Sequence, residues 1–304
     1  MKIPSKVYPY RLPYMGSKQN IAYSLMLTML QKKPKAKYFF DIFGGGAAMS
    51  LMASQFGLKV YYTEKNAGIV NLLNFLKDNK IPREWIKWID REEFKRCVGK
   101  DDPYSVFVTV VWSFGNNRQA YLFGKDIEEL KRLAFEVIVN CDYKCLDELK
   151  NKTGLSLKMP IESKLHDRRL NFHRQIQTAK GFHRGIESLI NMQALTQLEC
   201  CSRLAACERL QQLEYLQQLE LPYDEVIIYC DPPYRGTAEY TDKDFNPNEF
   251  DNWVRKLKYD VFISEYDTPF EKIASFGKMS LLNNSKDKKP LISENLYFHK
   301  SEVA

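Results

Sequence analysis

The apolar run Val226-Ile-Ile-Tyr-Cys230 ends in an acid, two prolines and an aromatic: Asp231, Pro232, Pro233 and Tyr234. A carboxylate and a free carbonyl can accept hydrogen bonds from an amine, and an aromatic ring can stack on a planar group. The β-branched run reads as a buried strand. Pro232 and Pro233 must stop it, because proline has no ladder donor and a fixed φ. Asp231 and Tyr234 therefore sit on a rigid turn at a strand's carboxyl end, where open α/β sheets place their ligands. A tight turn that merely closes a core strand would use the same residues and carry no chemistry.

The elements around that turn follow in chain order. Tyr38–Phe43 reads as a strand, then come Gly44, Gly45 and Gly46, then a helix to about Gln55. Glycines let backbone turn sharply and approach a ligand, and the following helix offers unpaired N–H groups, which suits a nucleotide-like ligand. A dinucleotide fingerprint wants glycine or alanine where Met49 stands, which argues against an oxidoreductase. Leu58–Thr63 is a second strand, and Glu64 at its end is placed to bond ribose hydroxyls. At the N-terminus an irregular loop broken by Pro9, Pro13 and Gly16 leads into a helix over Asn20–Leu30 and can bring Tyr14, backbone donors and the Lys18 cation to an anionic group. Helices are predicted over residues 67–77, 83–88, 91–98, 126–139, 143–149 and 246–258, and Pro103–Phe114 fits a helix or a strand. Asp260–Tyr266 reads as a strand, Pro269–Ala274 as a short helix, and Lys278–Leu282 with Asn295–His299 as closing antiparallel strands around a polar loop, Asn283–Pro290.

The middle of the chain carries polar candidates. Trp112–Tyr121 mixes aromatics with Asn116, Asn117 and Arg118 in a glycine-bearing loop, residue types that read base edges and stack on bases. From Lys150 to Arg184 nine basic residues, among them Lys164, Arg168, Arg169 and Arg174, face two acidic ones, a surplus of seven that equals the net charge of the whole chain. A charge excess concentrated in this way suits a phosphate backbone; a solvated basic face is the plainer alternative. From Leu189 to Leu219 apolar residues recur at every third position, a period that fits neither an α-helix nor a strand. A helix with a spiralling stripe and a stacked turn structure both remain open.

At 304 residues with 44% hydrophobic residues, the chain can bury a large core as one domain with an insertion or as two. The net charge of +7 leans mildly toward polyanions. Neither a secretory signal nor an apolar run of spanning length is evident, so the expectation is a cytoplasmic protein without a membrane. Seven cysteines without C-x-x-C pairs and four scattered histidines predict reduced thiols and no metal site.

Together these motifs resemble the Dam-like family of DNA N6-adenine methyltransferases. Tyr14-Met-Gly-Ser-Lys18 is similar to the family's aromatic-x-Gly-Gly-Lys opening, with Ser17 in place of the second glycine. Asp41-Ile-Phe-Gly-Gly-Gly46 is similar to its cofactor loop, and Asp231–Tyr234 matches its catalytic motif in full. Ser264-Glu-Tyr-Asp267 resembles the polar strand end that follows. The resemblance implies an α/β fold, a Rossmann-like class I methyltransferase mixed sheet with an inserted, mostly helical target-recognition region. It implies a catalytic domain formed by residues 1–100 and 222–304, with 101–221 inserted. It implies S-adenosylmethionine as cofactor on Tyr14, Gly16, Lys18, Asp41, Phe43, Gly44, Gly46, Glu64 and Asp231. A flipped adenine would lie on Asp231, Pro232, Pro233 and Tyr234, and double-stranded DNA on Asn116, Asn117, Arg118, Lys164, Arg168, Arg169 and Arg174. A monomer in the cytoplasm of a bacterial or phage-infected cell is implied too, with or without a restriction partner. Cytosine-N4 methylation uses the same four catalytic residues, and a retired DNA-binding protein of the same fold is the alternative from another class. A glutamine methyltransferase would want Asn at position 231. A cytosine-C5 enzyme would want Pro-Cys, whereas Cys230 precedes the acid.

Overall fold

A computed structural model describes residues 4–8, 10–178, 189, 192–215, 220–235, 245–279 and 291–302. Lys180 and Arg184 of the basic run, Leu216–Leu219 and the expected loop Asn283–Pro290 lie outside the described residues. In chain order the elements are α1 (Ala22–Lys32), β1 (Tyr38–Asp41), α2 (Ala48–Gln55), β2 (Lys59–Tyr62), α3 (Ala67–Asp78), α4 (Arg91–Cys97), α5 (Pro103–Val111), α6 (Glu128–Asn140), α7 (Tyr143–Thr153), α8 (Leu165–Thr178), α9 (Gln193–Ala205), β3 (Leu213–Tyr215), β4 (Val226–Cys230), α10 (Pro247–Arg255), β5 (Val261–Glu265), β6 (Glu271–Met279) and β7 (Leu291–His299). The fold class is α/β, as expected.

The chain forms two compact units, one of Met1–Arg11, Ser17–Asn66 and Glu208–Ala304, the other of Leu12–Gly16 and Ala67–Cys207. The first holds a seven-stranded mixed sheet in the order β3-β2-β1-β4-β5-β7-β6. β3, β2, β1, β4 and β5 run parallel, and β7 and β6 are antiparallel. Every residue of β4 and β5 is buried, as strands covered on both faces require. The chain order reverses between β1 and β4, and a parallel sheet opens a ligand crevice at the carboxyl ends of its strands at such a point.

One prediction fails in this unit. Pro269–Ala274 is not a helix: β6 starts at Glu271 and pairs with β7. β6 is an edge strand with a register shift between Lys272 and Ala274, and its exposed Glu271, Lys272 and Ser275 hide the strand alternation.

The second unit is helical. Pro103–Val111 resolves to helix α5, started by Pro103 and by the Asp102 carboxylate accepting from Ser105 N at 2.9 Å. Its core centres on Trp112, with Trp88 at 4.9 Å and Phe135 at 5.5 Å between ring centroids. The predicted helix at residues 83–88 is only a 3-10 turn, Arg83–Trp85. The period-three stretch becomes three structures in succession: α9, a 3-10 turn over Glu208–Gln212, and β3. On an α-helix a step of three slips the stripe by about 60°. α9 tolerates this because α3, α5 and α8 pack around it, so Leu195, Leu198, Cys201 and Leu204 are all buried. The 3-10 turn has three residues per turn and needs no slip.

The units divide elsewhere than expected. α3 and α4 belong with the helices because they pack on α5, and Glu208–Leu221 belongs with the sheet because β3 pairs β2.

Candidate active site

The turn after β4 gathers side chains from three parts of the sheet unit. Lys18, 213 residues away in sequence, places Nζ 2.6 Å from Asp231 Oδ2. The same Nζ lies 2.9 Å from Glu294 Oε1 and 4.9 Å from the Tyr234 ring centroid. Tyr234 donates its hydroxyl to Glu294, and its ring meets Tyr266 edge-on at 4.6 Å. Asp231 Oδ1 is buried and takes no hydrogen bond among the described residues. Burial pushes the Asp231 carboxyl up to about 6, against the pull of Lys18 and with the push of Glu294. Burial also works to lower Lys18, but the two carboxylates outweigh it and hold the ammonium above its ordinary value. Cys230 is wholly buried, and burial pushes its thiol up, away from the thiolate that nucleophilic attack requires.

Asp41 closes β1. Its Oδ2 accepts from Ser50 N at 3.0 Å and Ser50 Oγ at 2.6 Å, which caps the first turn of α2. Its Oδ1 is buried with no partner among the described residues, and burial lifts the carboxyl to about 7 despite Ser50. At Gly44 a Cβ would stand 2.1 Å from the Tyr62 ring, so packing against β2 already demands glycine there, whatever a ligand needs. Gly45 donates its N–H to Glu64 Oε2 at 2.8 Å, while Glu64 Oε1 accepts from Asn66 N at 2.8 Å. Gly46 is buried in the same loop. Thus the predicted Asp41, Gly44, Gly46 and Glu64 stand on the carboxyl ends of β1 and β2, beside Lys18 and Asp231 in the same unit. Phe43 lines a cleft of about 320 Å³ with Ile42, Phe245, Phe250 and Trp253. Pro232 is buried and Pro233 half-buried.

Two acids were not among the predicted site residues, although Glu265 lies in the strand end Ser264–Asp267. Glu265 ends β5, accepts from Arg235 N at 2.7 Å, and keeps Oε2 buried with no partner among the described residues; burial lifts it to about 7. Glu294 stands mid-strand in β7, 2% exposed. Ser293 and Asn295 flank it in a polar start to the strand, so nothing local set it apart.

The remaining predicted residues belong to the helical unit. Gly16 there has φ +76, and Tyr14 lies close enough to Arg118 to favour its charge, which burial opposes. Arg118 donates to Thr109 Oγ1 at 3.2 Å and, with Asn116, adopts a left-handed φ. Asn117 Oδ1 accepts from Gln119 N and Ala120 N, and the Asn116 amide meets Gln197. This loop holds Phe114 out at 57% exposure. Lys164 and Arg174 are exposed. Arg168 and Arg169 are engaged inside the unit: Arg168 donates to Val139 O, and Arg169 Nε lies 2.6 Å from Glu199 Oε1. Glu199 is buried, and hydrogen bonds from Arg169 and His166 hold its carboxyl low although burial would raise it. Arg169→Ala therefore destabilises the helical unit by about 2 kcal/mol in urea unfolding, by stripping a buried acid of its main partner. A urea midpoint equal to the wild type's would show that Glu199 does not depend on Arg169.

Among the described residues no cluster of His, Cys, Asp or Glu is arranged to hold a metal, no helix is long and apolar enough to cross a membrane, and all seven cysteines are free. No protein-family model and no curated protein matches this chain.

Proposed function

We propose that the protein is a site-specific DNA adenine-N6 methyltransferase of the Dam-like type, with a Rossmann-like class I methyltransferase sheet, acting on double-stranded DNA in the cytoplasm. The observation that carries the reading is the Asp231 turn: a carboxylate beside the switch point of a parallel sheet, with one oxygen on Lys18 and the other buried without a donor among the described residues. A mixed sheet with an antiparallel edge is what that fold expects.

The residues fit S-adenosylmethionine, a cation with a ribose and a purine. Asp41, Glu64, Asp231, Glu265 and Glu294 supply acceptor oxygens, and a positive ligand would draw the raised carboxyls of Asp41, Asp231 and Glu265 toward their charged forms. Glu64 retains lone pairs for ribose hydroxyls beyond its two backbone bonds. The cleft beside Phe43 is aromatic enough for a flat ring. When bound, the cofactor supplies an electrophilic methyl on a sulfonium.

The chain's own residues act on the amine. Adenine N6 is a poor nucleophile because its lone pair is delocalised into the ring. Asp231 accepts one N6–H and the Pro232 carbonyl the other, drawing the nitrogen toward tetrahedral geometry, and Tyr234 stacks on the extruded base. The methyl joined to nitrogen would come from the bound sulfonium, whose sulfur would keep the electron pair of the C–S bond given up, and the surplus proton on nitrogen passes to Asp231. Asn116, Asn117 and Phe114 on this loop are suited to base edges and stacking, and exposed Lys164 and Arg174 to phosphates.

Incubating the protein with methyl-labelled S-adenosylmethionine and unmethylated genomic DNA, then analysing nucleosides by mass, tests the reading. N6-methyladenine is expected; N4-methylcytosine would move the chemistry to the other amine, and no product would end the reading. Glu64→Ala weakens cofactor binding roughly tenfold to a hundredfold, from the loss of charge-assisted hydrogen bonds. Calorimetry showing equal affinity would remove Glu64 from the ribose.

A further inference from the structure

Lys18 is one ammonium between two carboxylates, and the reaction proposed above uses only Asp231. Glu294 is the more buried acid, at 2% against 19% exposed. It comes from β7, a strand that contributes nothing else to that chemistry. The pleat explains its position. Asp41 pairs with Tyr229, Tyr229 with Phe262, and Ser264 with Leu296. Alternation then puts Asp41, Tyr229, Ser264, Leu296 and Glu294 on one face, and the Tyr229 hydroxyl lies 2.7 Å from Ser264 Oγ on it. A glutamate there is costly to bury unless paired, and Lys18 and Tyr234 pair it.

The charged and titratable groups about Lys18 are Asp231 and Tyr234 on the turn, Glu294 on β7, and Asp41 and Tyr229 on that same face. With Asp231 as sole partner, a proton arriving on Asp231 would leave a buried ammonium without counter-charge, and Lys18 would shed its own proton. Glu294 keeps a carboxylate 2.9 Å from Lys18 through that event. The same carboxylate accepts the Tyr234 hydroxyl, so it fixes both the cation and the ring.

We propose that Glu294 is the positioning residue of this site: it keeps Lys18 an ammonium while Asp231 takes up the amine's proton, and it anchors Tyr234 by the hydroxyl. The proton step rests on the methyl-transfer reading; the hold on Lys18 does not.

Glu294→Gln keeps size and an acceptor but drops the charge. The expected result is a kcat lowered about tenfold with KM for labelled S-adenosylmethionine within about threefold, and an alkaline limb of the pH profile moved to lower pH. In a Lys18→Met background the same substitution costs little further rate, because the two act through one group. Independently of turnover, NMR titration of the labelled Lys18 side chain gives a lower midpoint in Glu294→Gln than in the wild type. An unchanged midpoint, or an equal rate loss with and without Lys18, overturns the proposal. Should Glu294→Gln not fold, Glu294→Asp keeps the charge and loses reach: the midpoint stays, kcat falls, and an undiminished kcat overturns the anchoring of Tyr234. A wild-type protein that methylates no DNA ends the methyl-transfer reading, and the Lys18 titration still decides what Glu294 holds.

Discussion

On the proposed reading, Asp231→Ala lowers single-turnover methyl transfer to DNA about a thousandfold, within the range of a lost proton acceptor and orienting group. The loss is specific because the fold does not depend on this carboxylate: its Oδ1 bonds nothing among the described residues, and Lys18 keeps Glu294. Asp231→Asn retains an acceptor oxygen without the charge, so its rate lies between the two. In the wild type the rate falls as pH drops through about 6, where burial places the Asp231 carboxyl, because the protonated acid no longer accepts from the amine. That acid limb disappears in Asp231→Ala. Wild-type rates in Asp231→Ala, at any pH, would remove this residue from the chemistry.

The turn was legible because its signals are local. Pro232 and Pro233 end a β-branched strand whatever surrounds it, and Gly44–Gly46 and Glu64 stand directly after their strands, so the carboxyl edge of β1, β2 and β4 follows from the chain order alone. Glu294 was not legible, because its meaning comes from Lys18, which the α1 end of the chain delivers across the sheet. β3 hid inside a period of three shared by an α-helix, a 3-10 turn and a strand, and only pairing with β2 identifies it. Arg169 looked like a phosphate contact because charge density says nothing of partners; Glu199, 30 residues on, takes its guanidinium. Short-range chain stiffness can be read from sequence, whereas cross-strand and inter-helix pairing of charges has to be seen.

Lys18→Met destabilises the sheet unit by about 3 kcal/mol at pH 8, the scale of breaking a buried ion pair from one side. Two acids are left without their cation, Glu294 at 2% exposure and Asp231 at 19%. The loss depends on pH, and its direction follows from linkage. Even with Lys18 present the Asp231 carboxyl stands at about 6, above its unfolded value of 3.8, so the folded state holds this proton the more tightly. Its contribution to stability is full below about pH 4 and is lost as pH rises through about 6. Lys18 lowers that folded value, so its removal moves the window further up. At pH 5 the Asp231 carboxyl of the variant carries its proton in the folded state, methionine fills the lysine's space, and the gap to wild type narrows. Hydrogen exchange of the β1, β4 and β5 amides, measured from pH 8 to pH 5, reads the gap in this unit directly. A gap that stays constant over that range would mean that Lys18 stabilises the turn by packing and not by charge.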